Sequence, residues 1–350
     1  MRNESIYVLH KNGADSHYTA LKLLLEQEGY SIKYREFSVI SQLIKGVFKG
    51  NFILFRKQII NLFFLINLFF TKNKRIVLGI APFDYKLKLL MKILKGHKVY
   101  YHTSWTYWDK TFHPKTKRNT NAIYKEWKLF LEKKTKHIFA VSERTKKQLL
   151  ENYNISECKI SIVYHSIDPV FSTKFKNERK PNSFIYFGRL VPQKGINEIL
   201  EYFQSNKQVF VTLIGDGDLK GKVIDMAKKN NNISYFEKLT NKKELAEKIS
   251  KHEFLILNSK RNEKWEELFG LAIIESMAQG VIPISSNHSG PKEIITKEIG
   301  YVFIEGELKS ALEHITANNT SRKVLSKNSI KESKKFLPEN IAPRWKPILK

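Results

Sequence analysis

Short runs of β-branched and aromatic residues alternate along this chain with stretches whose apolar residues recur at helical spacing. The runs predict strands, and their regular alternation with helices is typical of parallel sheets connected by crossover helices. We therefore predict an α/β fold. The predicted strands are 6–10, 32–37, 75–80, 98–101, 137–141 and 160–163 in the first half, and 184–187, 208–214, 233–236, 254–257, 281–285 and 301–304 in the second.

A polar segment separates the two halves of this pattern. Residues 172–182 are mostly polar and include Pro181, which predicts a linker between domains. The length of 350 residues also exceeds what one hydrophobic core usually supports. We expect one domain at 1–171, a second at 183–329 and a C-terminal helical segment at 330–350.

Apolar and basic residues are mixed between residues 40 and 75. The stretch 51–70 contains 14 apolar residues, but no uninterrupted apolar run approaches the roughly 18 residues of a membrane-spanning helix. Its basic neighbours favour a helix that lies in the interface of an anionic membrane. The alternative is a helix buried against the first sheet. The basic residues are Lys45, Lys49, Arg56, Lys57, Lys72, Lys74 and Arg75.

Composition narrows the possible partners and compartments. The net charge of +27 suits an anionic membrane, phosphorylated substrates or nucleic acid, but no recognition motif supports nucleic acid. Cys158 is the single cysteine, which excludes internal disulfides and a Cys-rich zinc site. The first residues lead into a strand without the apolar segment of a signal peptide, so we expect a cytoplasmic protein.

Candidate chemistry is concentrated in residues 267–280. Glu267 and Glu275 bracket Gly270 and an apolar stretch, and Gly280 ends the predicted helix before a buried strand. Buried carboxylates need partners, and a helix N-terminus near Gly270 is a natural seat for phosphate. The segment therefore indicates a site for a polar, phosphorylated ligand. An amphipathic helix with two surface glutamates is the alternative.

Four ordered motifs between residues 137 and 305 carry a resemblance to a known family. They are 140–143 with 160–171, 184–195, 211–217 and 267–275. In these motifs the sequence resembles the retaining GT-B glycosyltransferases of family 4, the glycosyl transferases group 1. The resemblance implies two Rossmann-like, doubly wound domains that face each other across a cleft. In that family the last helix, here within 330–350, often crosses back to the first domain.

The resemblance also implies roles for individual residues. Arg189 and Lys194 would neutralise the diphosphate of a UDP- or GDP-type sugar donor, with no separate cofactor. Glu267 would contact hydroxyls of the transferred sugar, and Glu275 would hold the ribose. The other donor-binding positions implied are Gly13, Gly188, Gly215, Gly217, Gly270 and Leu271.

Two features of the sequence leave alternatives open. The polar insertion 258–266 holds Glu263 and Glu266, so a neighbouring acid could replace Glu267 at the sugar. His102 resembles a histidine that approaches the donor sugar after domain closure, although a histidine at a strand end is more often a satisfied polar residue.

A paired aspartate motif raises the question of a metal. Asp216 and Asp218 flank Gly217, and turn chemistry alone explains aspartate beside glycine. The resemblance implies no catalytic metal here, so we predict none.

These observations predict a retaining, metal-independent, hexosyltransferase-like enzyme on the inner face of the cell membrane. Its acceptor is expected to be a lipid-linked or cell-surface glycan. Two alternatives remain from the sequence: a non-catalytic GT-B partner subunit of a glycosyltransferase complex, and a GT-B sugar-nucleotide epimerase. The intact Arg189, Lys194 and Glu275 argue against the non-catalytic subunit.

Overall fold

The computed structural model describes residues 4–11, 13, 15–48, 50–112, 120–175, 178–263, 265–318 and 321–350. Lys49 and residues 176–177 of the predicted linker lie outside the described residues. The chain forms two compact units, one of residues 1–166 with Ile341–Lys350 and one of Ile167–Asn340. The division falls at residues 166–167, a few residues before the predicted linker.

The first unit is a six-stranded parallel sheet in the order β2-β1-β3-β4-β5-β6. Its strands are β1 (Ser5–His10), β2 (Ser31–Glu36), β3 (Arg75–Gly79), β4 (Lys98–Thr103), β5 (His137–Ala140) and β6 (Ile160–Ile162). Its helices are α1 (Thr19–Gln27), α2 (Val39–Phe48), α3 (Phe52–Phe70), α4 (Leu87–Ile93), α5 (Asn121–Leu129) and α6 (Glu143–Asn152).

The second unit is also a six-stranded parallel sheet, in the order β12-β11-β10-β7-β8-β9. Its strands are β7 (Ser183–Arg189), β8 (Phe210–Asp216), β9 (Ile233–Phe236), β10 (Phe254–Leu257), β11 (Ile282–Ser286) and β12 (Tyr301–Phe303). Its helices are α7 (Ile196–Ser205), α8 (Lys220–Lys229), α9 (Lys242–Ser250), α10 (Leu271–Ala278), α11 (Ser289–Ile294), α12 (Leu308–Ala317), α13 (Arg322–Ser333) and α14 (Pro338–Ile341).

Both sheets confirm the predicted α/β fold, and all twelve predicted strands occur within a few residues of their predicted bounds. The central strands are buried on both faces because helices cover them, which explains their nearly continuous apolar runs. In each sheet the strand order reverses once, between β1 and β3 and between β7 and β10. Ligands of doubly wound sheets bind at the carboxyl ends of strands beside such a reversal.

The C-terminal residues belong to the first unit. Trp345 is buried there, with its ring centroid 4.3 Å from that of Phe139, 5.4 Å from that of His102 and 6.0 Å from that of Tyr18. A single large aromatic residue thus fixes the end of the chain against β4, β5 and the loop that precedes α1.

Helix α3 reverses the usual pattern of a surface helix. The buried residues of this otherwise apolar helix are Gln58, Asn61 and Leu68. By contrast, Phe52, Ile53, Ile60, Phe63, Ile66, Phe69 and Phe70 are all exposed. A helix of a water-soluble surface places its apolar stripe inward, so burial against the sheet, the alternative raised by the sequence, does not explain α3.

A buried carboxylate holds α3 to the edge of the first sheet. The Glu36 side chain accepts hydrogen bonds from Gln58 Nε2 at 2.7 Å, from Lys57 Nζ at 2.7 Å and from the Gly13 amide at 3.0 Å. Asn61 Nδ2 donates in turn to Gln58 Oε1 at 3.2 Å. Burial alone would raise the pKa of Glu36, but the Lys57 and Gln58 hydrogen bonds hold it below its ordinary value.

Within the described residues, α3 is the one helix long and apolar enough to cross a membrane by length and composition alone. The sequence prediction, which rested on its interrupted apolar runs, did not anticipate this length. Gln58, which interrupts the apolar run, donates to Glu36, and Asn61, a second interruption, donates to Gln58.

Replacing Glu36 by alanine should destabilise the first unit. Gln58, Lys57 and the Gly13 amide would lose their shared acceptor, and unsatisfied buried donors cost about 2–4 kcal/mol in such networks. Urea unfolding followed by circular dichroism measures the loss. Glu26→Ala is the control because Glu26 makes an exposed ion pair with Lys22, and equal losses in both variants would contradict the role of Glu36.

Candidate functional site

Glycines bring the backbone of two strands close together at the carboxyl edge of the second sheet. Gly188 in β7 pairs with Gly215 in β8. A Cβ atom on Gly215 would lie 1.9 Å from the Gly188 carbonyl oxygen, so no other residue fits there. Gly217 has a φ of 150°, and a Cβ on it would lie 2.6 Å from the Leu190 carbonyl oxygen. This edge therefore exposes backbone that a ligand can approach closely.

Lys194 lies beside the strand reversal between β7 and β10. It ends a short 3-10 helix, Pro192–Lys194, and the following Gly195 has a φ of 62° that glycine tolerates best. The Asn258 amide, directly after β10, donates to the Gly195 carbonyl oxygen at 3.1 Å. This contact ties the turn that carries Lys194 to the end of β10.

Lys194 and Glu267 form an ion pair at this edge. Their side chains are 12% and 15% exposed, so water screens them far less than a surface pair. Ser259 Oγ donates to Glu267 Oε2 at 3.2 Å. The Lys194 ammonium also lies 4.6 Å from the centroid of the Trp265 ring, within range of a cation–π interaction.

The structure distinguishes Glu267 from its neighbouring acids. Glu266 is buried and accepts hydrogen bonds from the amide and hydroxyl of Ser289, the first residue of α11. Glu263 is exposed on the same insertion. Glu266 is committed to Ser289, and Glu267, directly after the insertion, is the acid that pairs with Lys194.

Arg189 is exposed at the end of β7. The sequence placed it just after the strand, and the structure makes it the last strand residue. Tyr186 Oη donates to the Arg189 carbonyl oxygen at 2.6 Å. Burial raises the pKa of Tyr186, with the Glu267 carboxylate adding to the rise and Arg189 opposing it. Tyr186 therefore lies within electrostatic reach of both charged groups.

Helix α10 carries the second predicted carboxylate. It begins at Leu271 after Gly270, whose φ of 94° lies in the left-handed region. Glu275 is partly buried in its second turn. Burial raises the pKa of Glu275 to about 8; Lys242 opposes the rise, and Asp168 adds to it. A carboxyl group with this pKa is mostly protonated at neutral pH, so it can donate a hydrogen bond as well as accept one.

The Asp216 side chain takes part in a turn. Its Oδ1 atom accepts a hydrogen bond from the Gly217 amide at 3.0 Å. Among the described residues, no group of three or more His, Cys, Asp or Glu side chains could hold a metal ion.

In the first unit, the predicted histidine is a buried, neutral base. His102 lies inside β4, which extends two residues past the predicted strand, and its Nδ1 is 3.1 Å from Tyr18 Oη. Its Nε2 has no hydrogen-bond partner among the described residues. Burial lowers the pKa of His102 far below its ordinary value, with His165, His17 and His10 adding to the effect. The proton of the neutral ring lies on Nε2 if Tyr18 donates to Nδ1 and on Nδ1 if Tyr18 accepts, so within the described chain the buried Nε2 is either an unpaired donor or an unpaired acceptor.

The structure gives one contact of Gly13, a donor-binding position in the sequence prediction. Its amide donates to Glu36 Oε1. That amide is thus committed to the contact that holds α3, and the donor-binding role implied for Gly13 rests on the sequence resemblance alone.

The structure groups some predicted residues and leaves others apart. Lys194 and Glu267 form an ion pair, and Glu267 and Arg189 both interact electrostatically with Tyr186. Among the described residues, Glu275 makes no contact with that group; its charged neighbours are Lys242 and Asp168. Sequence reasoning missed Ser259, Trp265 and Tyr186 as neighbours of the ion pair; the position of Ser259 just after predicted strand 254–257 was the available signal.

Comparison with known proteins identifies the family. The family model described as Glycosyl transferases group 1 matches residues 169–332, and that of Glycosyltransferase Family 4 matches residues 86–171. A curated relative, the O-antigen chain mannosyltransferase RfbU of Salmonella typhimurium, is 28% identical over 199 residues. That alignment covers 52% of this chain and 52% of RfbU, so the match spans about half the length of the relative.

Solved structures resemble the whole chain. A glycosyltransferase from Rickettsia africae has a TM-score of 0.71 with 16% identity, and all of both chains is covered. HepE of Anabaena, in complex with UDP, has a TM-score of 0.66 with 13% identity over 97% of this chain and 98% of its own. TarM, with a TM-score of 0.60 and 16% identity, is covered over 57% of its length and 82% of this chain.

At such identities the solved structures establish the fold alone, which is GT-B. With the two family models, which together extend from residue 86 to residue 332, this places the protein in the glycosyl transferases group 1 family of GT-B proteins.

The raised pKa of Glu275 predicts a pH dependence of stability. A carboxyl group whose pKa is about 8 when folded and 4.5 when unfolded stabilises the fold fully below 4.5. That stability is lost as the pH rises through the folded pKa. Glu275→Gln should therefore match the wild type near pH 5 and melt about 3 °C or more above it near pH 8.5.

Thermal unfolding across this pH range is the measurement. Glu201→Gln, which changes an exposed glutamate on α7, is the control. If wild type and Glu275→Gln lose stability in parallel as pH rises, the carboxyl group does not titrate as described.

Proposed function

We propose that this protein is a glycosyltransferase that moves a sugar from a nucleotide diphosphate donor to an acceptor hydroxyl. The observation that carries the proposal is the Lys194–Glu267 ion pair at the strand reversal of the second sheet. A cation for phosphate and a carboxylate for sugar hydroxyls there suit the two parts of such a donor. Family membership and the UDP complex of the neighbour HepE support this reading.

The ion pair gives the proposed reaction its electrostatic basis. As the bond between the anomeric carbon and the phosphate oxygen breaks, the electron pair remains on the departing diphosphate. Lys194 and the exposed Arg189 stabilise that charge. Arrival of the diphosphate gives Lys194 a second anionic partner, and Glu267 becomes free to accept hydrogen bonds from the sugar.

The stereochemistry and the absence of a metal requirement are further parts of the proposal. The acceptor hydroxyl attacks from the face that the diphosphate leaves, so the anomeric configuration is retained and no enzyme nucleophile is needed. Its proton passes to the departing phosphate oxygen. Two cationic side chains take the part that a divalent ion plays in other transferases.

The acceptor proposed is a lipid-linked or cell-surface glycan precursor, handled by a peripheral protein on the cytoplasmic face of the membrane. Helix α3 supports membrane contact because its apolar side chains face outward, with Phe63 66% and Phe70 83% exposed. From residue 37 to residue 83 the sequence contains seven Lys or Arg residues and no Asp or Glu. Apolar surface beside such a charge fits an anionic bilayer better than nucleic acid.

Replacing Lys194 by methionine should reduce kcat/KM by about 10²–10³-fold, because a cation is lost from the leaving group. Thermal shifts with UDP, GDP and ADP first identify the base, and turnover with the matching sugar donors follows. Lys228→Met, an exposed change in the last turn of α8, is the control. Near-normal turnover of a folded Lys194→Met protein would refute the site.

The same assays separate the alternatives. Nucleotide binding without turnover under any donor and acceptor pair indicates a non-catalytic partner subunit. A changed sugar nucleotide formed without an acceptor indicates an epimerase. Nuclear magnetic resonance of the product's anomeric proton tests retention, and turnover in the presence of EDTA tests the metal requirement.

Membrane contact is tested by sedimentation with anionic and neutral vesicles. Phe48→Ser with Phe52→Ser removes two side chains that are 87% and 75% exposed, and vesicle affinity should fall by about tenfold or more at 1.5–3 kcal/mol for each buried side chain. Val324→Ser, an exposed apolar residue of α13, is the control. Unchanged affinity in the double variant would exclude α2 and α3 as the contact.

A further inference from the structure

A groove opens on the outer side of α3, next to the edge strand β2. Its volume is about 500 Å³. Apolar side chains form most of its lining, and one charged residue, Arg35 of β2, stands among them. The apolar lining is Ile60, Phe63, Phe64, Ile66 and Phe70.

Arg35 is held in place without being neutralised. Its Nη1 donates to the Tyr34 carbonyl oxygen at 2.7 Å, and its Cζ lies 5.5 Å from the centroid of the Phe64 ring. Within the described part of the chain, no carboxylate pairs with Arg35, and its Nε is buried without a hydrogen-bond partner, so a ligand would reach the guanidinium at its terminal nitrogens. The adjacent Glu36 is engaged by Lys57, Gln58 and the Gly13 amide instead.

The position of Phe64 adds a second constraint. Its ring stacks on Tyr7 of β1, with centroids 4.7 Å apart and an angle of 29° between the planes. The groove floor is therefore supported by the sheet. A guanidinium packed on such a floor loses little further freedom when it binds an anion.

A fixed arginine beside an open apolar groove suits one chemical class: a phosphate group on a hydrocarbon chain. The planar guanidinium can donate two parallel hydrogen bonds to phosphate oxygens. The hydrocarbon chain gains roughly 25 cal/mol for each Å² of apolar surface that it covers. The absence of acidic residues from 37 to 83 leaves no carboxylate in that stretch to repel the phosphate.

We propose that this groove is a binding site for a single phosphate-bearing lipid, with the phosphate on Arg35 and the chain along Phe63, Phe64 and Phe70. The site rests on the membrane contact proposed above and goes beyond it, because it adds a stoichiometric contact to a general attraction. The proposed occupant is an anionic membrane phospholipid, because the groove lies on the same exposed, basic-flanked helix as the proposed membrane contact. A polyprenyl phosphate shares this chemistry and is the alternative that the test separates.

The test measures partition onto neutral phosphatidylcholine vesicles doped with either phosphatidylglycerol or polyprenyl phosphate at equal charge. Arg35→Gln should lower affinity for doped vesicles about tenfold, the discrimination expected of a paired arginine–phosphate contact. Arg35→Lys should recover only part of the loss because it keeps the charge and not the fork. Lys22→Gln, which removes an exposed charge from α1, should behave as wild type.

The lipid whose binding weakens in Arg35→Gln is the occupant of the groove. A loss with both dopants indicates a general phospholipid site, and a loss with polyprenyl phosphate alone indicates the lipid carrier of the acceptor. If Arg35→Gln and Lys22→Gln bind both doped vesicles equally well, the site is excluded.

A soluble probe separates this proposal from membrane contact as a whole. Dihexanoyl phosphatidic acid below its critical micelle concentration should bind the wild type and bind Arg35→Gln about tenfold more weakly in calorimetry. Phe70→Ser should keep the affinity for this short lipid and lose the gain that longer chains give. Wild-type binding of the short lipid without vesicle binding would reject the membrane proposal and keep the groove. Failure of the short lipid to bind would reject the groove.

Discussion

The ion pair between Lys194 and Glu267 joins two loops at the carboxyl edge of the second sheet. One loop follows β7 and the other follows β10, and those strands are neighbours only because the sheet reverses its strand order there. Both side chains are mostly withdrawn from water, where an unpaired charge is costly. Each loop is therefore positioned by the other, and a ligand that takes over Lys194 must compensate Glu267 with hydrogen bonds of its own.

The first unit also contains a buried, paired carboxylate, but there the pairing holds a helix with an exposed apolar face. Glu36 is buried and paired, but its partners come from α3, a helix whose outer face is apolar. The polar contacts face the protein and the apolar side chains face outward. An exposed apolar face of this kind gains free energy when something other than water covers it, and for that reason both the proposed membrane contact and the proposed lipid groove lie on this helix.

The strands and the fold class could be predicted from the sequence because a buried parallel strand is a short apolar run between turns. The pairing of Lys194 with Glu267 could not be predicted from spacing, since 73 residues separate them. Only the resemblance placed them at one ligand. The division of roles between Glu266 and Glu267 was also beyond the sequence: one carboxylate caps Ser289 and the next meets Lys194. Adjacent residues in a loop can point to different partners, and no periodicity tells them apart.

The composition of α3 does not predict how this helix is oriented. Counting apolar residues favours a membrane span, and counting interruptions argues against one, but neither identifies the direction in which the polar residues point. Gln58 points toward Glu36 and donates to it, and Asn61 donates to Gln58. Moving the middle of α3 into hydrocarbon would therefore separate the Gln58 donor from its acceptor where no water could replace it. A helix held in this way can immerse its outer side chains while its axis stays along the protein surface. The polar interruptions therefore favour lying on the membrane over crossing it.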